Sequence, residues 1–235
     1  MIGSFLNVLI YRLPRKESIV WPGSRCVACG HKLGIRDLIP IFSYLGLKGK
    51  CRYCQGEIAV SYPLVEGLTA LSFLLVFDRW GFTLAAGGGC FFTGLIIVAA
   101  FTDMKDGVIP DSITYPGLIT GILLSCFLGS ISTAILGSAF FGGFLLLIAV
   151  LSRGGMGGGD VKLAAVIGAF LGLKGAVMVL VLSSFLGAIW VLPLLFKGKA
   201  DRKTAVKFGP FLSLAAWVVM LWGNDILCWY WSILT

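Results

Sequence analysis

Charge is scarce in this chain. Asp, Glu, Lys and Arg together make up 13% of 235 residues, whereas 58% are hydrophobic and the mean hydropathy reaches +0.96. A soluble domain of this length has no interior large enough for so much apolar surface, so a water-soluble globular protein is excluded. The alternating apolar and polar pattern of a membrane β-barrel is also missing. No internal repeat, low-complexity tract or long linker interrupts the sequence. The first apolar segment has no charged stretch before it and no small-residue cleavage site after it, which argues against a secretory signal.

In place of these features the chain carries long apolar runs, at 1–13, 62–80, 84–102, 112–128, 131–151, 163–173, 176–196 and 211–223. A helix of about 20 residues crosses roughly 30 Å of hydrocarbon and satisfies its own backbone there. The expected fold is therefore an all-α integral membrane protein with about eight transmembrane helices. The first and sixth runs are short for a full crossing, so a tilted or re-entrant path is expected for them.

Positive charge next to membrane helices stays in the cytoplasm. With residues 14–61 placed inside, the segments 103–111, 152–162 and 197–210 also fall inside. Together with Arg12 they hold 17 of the 19 Lys and Arg, the exceptions being Arg79 and Lys174. The net charge of +8 then reports topology, and no nucleic-acid partner is expected.

The one polar stretch long enough for a small domain is 14–61, which contains four of the seven cysteines and the single histidine. Cys26-Val-Ala-Cys29 and Cys51-Arg-Tyr-Cys54 form two CxxC knuckles, the spacing with which four thiolates close a tetrahedral zinc site. A structural zinc ion in a zinc-ribbon-like cytoplasmic domain is expected, with Gly30 and Gly56 as the turn residues behind each knuckle. Two disulfides or free thiols are the alternatives, and a reducing compartment weighs against the former. His31 reads as a solvated neighbour of a complete cysteine set. Cys90, Cys126 and Cys228 lie in apolar runs and read as small packing residues.

Of the acidic residues, Asp103 and Asp160 stand apart. Asp103 ends the third apolar run and Asp160 opens the sixth, after Gly157-Gly158-Gly159. Two crossings separate them, so both emerge at the same membrane face. Two carboxylates that approach each other share a proton, leaving one to draw a proton from water that attacks a peptide carbonyl. The glycine run would let backbone approach an extended substrate and offer N–H groups at a helix start. Solvated loop acids, or a pair on an ion pathway, fit the same spacing.

The sequence resembles the type IV prepilin peptidase family along nearly its whole length. The resemblance is carried by Gly3-Ser-Phe-Leu-Asn7 through Arg12-Leu-Pro14, the two CxxC knuckles, Ser61-Tyr-Pro63-Leu-Val-Glu66, Asp103 to Pro110-Asp111, Gly157-Gly-Gly-Asp160-Val-Lys162 and Phe208-Gly-Pro210-Phe211. It implies that Asp103 and Asp160 are the catalytic aspartates of a peptidase working at the cytoplasmic face of the bacterial inner membrane. Asp106 and Asp111 match positions beside the first of them. Members of the family remove a short basic leader after Gly from prepilins or pseudopilins of type IV pili and type II secretion. Many then methylate the new N-terminus with S-adenosylmethionine, an activity associated with the region between the first two spans.

The expected layout is a first helix over 1–13, a four-cysteine zinc-binding, methyltransferase-associated domain over 14–61 and a membrane peptidase domain over 62–235. No nucleotide-binding glycine fingerprint marks a methyl-donor site. The family usually has further apolar residues before Gly3, so a natural start upstream of Met1 is expected.

Other residues have two readings each. Glu66 suits contact with substrate or the 14–61 domain, or a carboxylate snorkelling at the interface. Lys162, two residues after Asp160, suits lowering the pKa of that carboxylate or simply obeying the positive-inside rule, and reads mainly as the latter. Asn7 and Arg12 would orient polar loops at the end of the first helix, although Arg12 also suits any inside helix terminus. Pro210 suits a first helical turn. Two competing functions remain on the residues alone: a transporter relaying protons through the two aspartates, and a zinc-ribbon membrane scaffold in which they are inert.

Overall fold

A computed structural model describes residues 1–21, 23–152, 155–196 and 207–234. The basic residues at 197–203 and Arg153, part of the charge pattern above, lie outside the described residues. The helices are α1 (Ile2–Arg12), α2 (Phe42–Gly46), α3 (Ser61–Trp80), α4 (Leu84–Asp106), α5 (Asp111–Phe127), α6 (Ile131–Leu151), α7 (Gly158–Phe196) and α8 (Gly209–Leu234). A 3-10 turn at Ile35–Leu38 precedes α2. Among the described residues extended structure is limited to two isolated bridges, Arg25 with Lys32 and Lys50 with Glu57.

The chain is an integral membrane protein. Five helices, α3, α4, α6, α7 and α8, have the length and hydropathy to cross a bilayer. All eight apolar runs read from the sequence are helical, and two of them, the sixth and seventh, are joined in the 39 residues of α7. They part at Gly172, whose φ of 66° and ψ of −175° break the helix in a region L-residues avoid. The side-chain neighbours show how the two arms run. Position 187 faces Phe208 at the start of α8, while Met178 lies against Gly223, well along α8. The second arm therefore runs antiparallel to α8, and α7 is a hairpin that returns to the end where it began.

Several helix ends differ from those read in the sequence. α4 continues to Asp106 and α7 begins at Gly158, so Asp103 and Asp160 sit inside helical turns rather than flanking them. α8 runs on past Gly223 to Leu234, because Asp225 forms an ion pair with Arg79 at the end of α3 and so is tolerated in the helix. The short α2 has no counterpart in the apolar runs.

α4 is the central helix. Its apolar window is 61% buried, against 22% for α3, which leaves more of its surface to lipid. Phe92, Ile96, Val98 and Ala99 of α4 join Leu163, Val166 and Ile167 of α7 and Leu212, Ala215 and Ala216 of α8 in one core. With lipid as apolar as the core, close approach of backbones replaces the hydrophobic effect as the main packing device. α6 and α7 show this most clearly: a Cβ at Gly137 would lie 2.5 Å from the Gly168 carbonyl oxygen, and one at Gly168 would lie 2.2 Å from that of Gly137. No side chain fits between them.

The polar segment between α1 and α3, the module that carries the four cysteines, lies at one end of this bundle. Arg12 at the end of α1 donates from Nη1 to the Ser18 carbonyl (2.8 Å) and from Nη2 to that of Gly23 (3.2 Å). Asn7 Nδ2 donates to the Tyr62 carbonyl at 3.0 Å, joining α1 to the start of α3. The loop-orienting reading fits Arg12, whose partners are loop carbonyls, whereas Asn7 joins one helix to another. Glu66 Oε2 accepts the Ile41 N–H at 2.9 Å, which gives that carboxylate a contact with the module. Tyr11 lies between the Arg15 guanidinium (4.1 Å) and the Lys105 ammonium (5.1 Å), so the ends of α1 and α4 meet. Asp103, two residues before Lys105, is at the same end of the bundle as the module.

Candidate active site

Asp103 and Asp160 come from different helices and reach one cavity. Asp103 sits near the end of α4, where the helix closes on Gly107 in the left-handed conformation (φ 67°) and the Gly107 N–H donates to the Asp103 carbonyl at 2.9 Å. Asp160 sits in the first turn of α7, its N–H donating to the Gly157 carbonyl at 3.1 Å. Both line a cavity of about 240 Å³ completed by Gly107, Val108, Ile109 and the glycines 157–159. Both are buried, at 7% and 8% exposure, which matters because a carboxylate held from water is costly unless it has a task or a partner.

Their partners differ. Asp103 Oδ2 accepts the Gly209 N–H at 3.1 Å from the start of α8. Asp160 Oδ1 is buried and has no hydrogen-bond partner among the described residues. Asp103 thus has one oxygen tied across to α8, while Asp160, whose carboxylate the Gly157 N–H approaches from its own turn, keeps Oδ1 buried and unpaired. The glycine run walls the cavity with bare backbone, and a Cβ at Gly159 would already touch Ile109 Cβ at 3.0 Å.

Three neighbouring charges lie outside the cavity lining. Lys162 Nζ pairs with Asp111 Oδ1 at 2.6 Å and lies 5.3 Å from the Tyr115 ring. Asp106 is exposed, and neither Asp106 nor Asp111 lines the cavity. The sequence reading missed Gly209. Its only signal there was a glycine before Pro210, which said nothing of a contact 106 residues away.

The second site is the cysteine cluster. The ligand atoms of Cys26, Cys29, Cys51 and Cys54 all lie within 4.8 Å of one another, and Cys26 and Cys54 Sγ are 3.9 Å apart. Four sulfurs around a tetrahedral ion at a bond length of about 2.3 Å are about 3.8 Å apart, so the cluster has the dimensions to hold one.

The two knuckles are built alike. The Cys26 N–H donates to the His31 carbonyl and the Cys51 N–H to that of Gly56, while Gly30 and Gln55 donate back to Cys26 and Cys51. The left-handed residue is Gly30 in the first knuckle but Gln55, not Gly56, in the second. Gly56 instead gives clearance, since a Cβ there would lie 3.3 Å from Cys54 Sγ.

Electrostatics inside the cluster are uneven. The Cys29 N–H aimed at the Cys26 sulfur lowers that thiol to about 7. The Gly56 N–H favours the Cys54 thiolate, but crowding by the Cys29, Cys51 and Cys26 sulfurs together with burial outweighs it and pushes Cys54 up to about 11. A cation in the middle removes that conflict by letting all four ionise. His31 stands outside the set, exposed, with its ring 3.7 Å from that of Tyr53. Asp37 is held below the usual carboxylate range by its hydrogen bond from Arg52, which ties the 3-10 turn to the second knuckle.

Comparison with known proteins gives the lineage. Residues 1–80 match the model of the bacterial peptidase A24 N-terminal domain, and residues 90–192 that of the type IV leader peptidase family. A prepilin leader peptidase/N-methyltransferase of Aeromonas salmonicida is 36% identical over 271 residues, covering 99% of this chain and 91% of that one. The chain belongs to the type IV leader peptidase family. A protein of the same name from Pseudomonas aeruginosa is 34% identical, covering 96% of this chain and 88% of its own length. One from Myxococcus xanthus is 39% identical over 86% of this chain and 63% of its own. No solved structure gives a significant match. The boundary between the two family models falls after α3, so the cavity aspartates belong to the leader peptidase segment and the cysteine cluster to the N-terminal one.

Proposed function

We propose that this leader peptidase family member is a membrane aspartic endopeptidase with Asp103 and Asp160 as its catalytic pair. It cuts the short basic leader after Gly from type IV prepilins or pseudopilins at the cytoplasmic face of the bacterial inner membrane. The observation that carries the reading is the single cavity lined by both buried carboxylates. An ionised aspartate takes a proton from a water held between the two, and the oxygen adds to the scissile carbonyl carbon. The protonated partner donates to the carbonyl oxygen. Collapse of the tetrahedral species then breaks the C–N bond, and the proton taken from water goes to the leaving amine. Bare glycine backbone at 157–159 leaves room for an extended peptide beside the pair.

The cytoplasmic placement follows from the charge pattern, since the cavity lies at the end of the bundle that carries the four-cysteine module and the basic termini of α1 and α4. Residues 14–61 form a domain held by a structural zinc ion on Cys26, Cys29, Cys51 and Cys54. Four thiolates leave that ion no open coordination position, so its contribution is shape. Residues 62–235 form the peptidase domain.

A second activity, N-methylation of the new N-terminus with S-adenosylmethionine, is supported by the relatives' names. The cleft of about 280 Å³ between α1 and residues 19–24 does not suit that donor. Its lining includes no acidic residue for a ribose, and its Arg12 is engaged by two carbonyls.

The test is cleavage of a basic-leader prepilin in membranes by the wild type, Asp103→Asn and Asp160→Asn, with S-adenosylmethionine present and product masses recorded. Loss of cleavage in both folded variants, and a product heavier by one methyl from the wild type, is the expected result. Cleavage that persists in either variant removes that aspartate from the mechanism.

A further inference from the structure

The end of α4 and the start of α8 are stitched together twice within three residues. Lys207 Nζ donates to the Met104 carbonyl at 2.8 Å, and the Gly209 N–H donates to Asp103 Oδ2 at 3.1 Å in a buried setting. The clearance at the second stitch is minimal. A Cβ on Gly209 would lie 2.7 Å from Asp103 Oδ2 and 3.1 Å from both Asp103 Cβ and Cγ, inside the distance that carbon atoms accept. Gly209 has no left-handed φ to explain its identity, so what that position requires is space beside the carboxylate. Across the cavity, Asp160 Oδ1 has no corresponding donor among the described residues.

We infer that Lys207 to Gly209 is a positioning strap for the peptidase reaction, with the Gly209 amide fixing the Asp103 carboxylate and making Asp103 the member of the pair that activates water. The inference rests on the aspartic peptidase reading above and deepens it. A backbone N–H at a helix N-terminus favours a charged oxygen and orients it without needing a side chain to be ordered. Asp160, with its open oxygen, is left to hold the proton that passes to the substrate carbonyl. Lys207 acts one step further out: by holding the chain against the Met104 carbonyl it sets where the Gly209 amide points. Neither residue lines the cavity, so both act through Asp103.

The experiment compares the wild type, Gly209→Ala, Lys207→Met, Asp103→Asn and Asp160→Asn in detergent with a prepilin substrate, recording kcat, KM and thermal unfolding for each. The methyl of Gly209→Ala displaces the carboxylate by a sizeable fraction of an ångström, and a shift of that size costs about 100-fold in turnover. The expected result is a kcat lower by about that factor with KM and unfolding temperature near the wild type, because binding is retained and only the reacting group has moved. Lys207→Met, which keeps the aliphatic stem and adds no bulk at the site, lowers kcat severalfold with KM unchanged.

Turnover by Gly209→Ala close to the wild type overturns the inference, as does a fall in kcat accompanied by an equal rise in KM. If Gly209→Ala does not fold, Lys207→Met decides, and an unchanged kcat there overturns it. The two aspartate variants keep the cases apart. If they cleave, the peptidase reading itself has failed; if they are inactive while the strap variants turn over normally, only the strap is lost.

Discussion

The four-cysteine module and the helical bundle solve opposite problems. The bundle has more apolar surface than it needs and fixes its geometry by backbone contact at glycines, as between Gly137 and Gly168. The module is nearly coreless: among its described residues only Cys51 of the hydrophobic ones is fully buried, while Val20, Trp21, Phe42 and Leu45 are exposed. What remains to define its shape is the two knuckles, the Arg52–Asp37 pair and the bonds that anchor it to α1 and α3. A metal held by the four cysteines would therefore bear on the folding of one region and not of the other. The two sites inherit this difference, since the aspartates are placed by helices and the cysteines by one another.

The largest effect that would break this comparison is metal removal. Chelation, or Cys51→Ser, abolishes an ion whose binding is worth about 10–16 kcal/mol in small zinc modules, so hydrogen exchange should become fast over residues 24–57 and stay slow over α4. Equal exchange in both regions, in either direction, would refute the division.

Next in size is the glycine contact. Gly168→Val drives a branched side chain into the Gly137 backbone, which cannot yield as a side-chain tip would. A loss of about 3 kcal/mol in bundle stability is expected from detergent unfolding, with metal content unchanged. A smaller change belongs to the joint between the regions. Glu66→Gln weakens the acceptor for the Ile41 N–H and should cost about 1 kcal/mol, seen as faster exchange at residues 38–46 alone. The smallest is Arg79→Ala at the opposite end, where both partners of the Asp225 pair are about half exposed. It should shift bundle stability by less than about 1 kcal/mol and leave cleavage untouched.

Much of this was legible in the residues. Hydropathy located all eight apolar runs, which form seven helices, because lipid demands long uninterrupted stretches, and CxxC spacing located the cysteine cluster because a tetrahedral site needs two short knuckles. An even number of crossings placed Asp103 and Asp160 at one face. Helix ends were less legible. Charges such as Asp106, Asp160, Lys162 and Asp225 look like loop residues in a hydropathy profile, yet they sit inside helices wherever a partner or the membrane edge accepts them. The sixth run ended at Gly172 rather than at Lys174, because backbone conformation and not polarity made the break. Gly209 was illegible as a partner of Asp103, and so was the difference between Gly56 and Gln55 in the second knuckle. Both depend on contacts or dihedral angles that spacing does not encode.

The hairpin at Gly172 also bears on how the protein is made. The first arm of α7 begins and the second ends at the cavity side, and the stretch between carries a single charge, Lys174. An apolar pair of that kind can enter the bilayer from one side as a unit, with one ammonium to carry across at about 3 kcal/mol. Asp160 and Lys162 stay behind at the side of entry throughout. The carboxylate of Asp160 therefore needs no passage through the bilayer to reach the cavity it shares with Asp103.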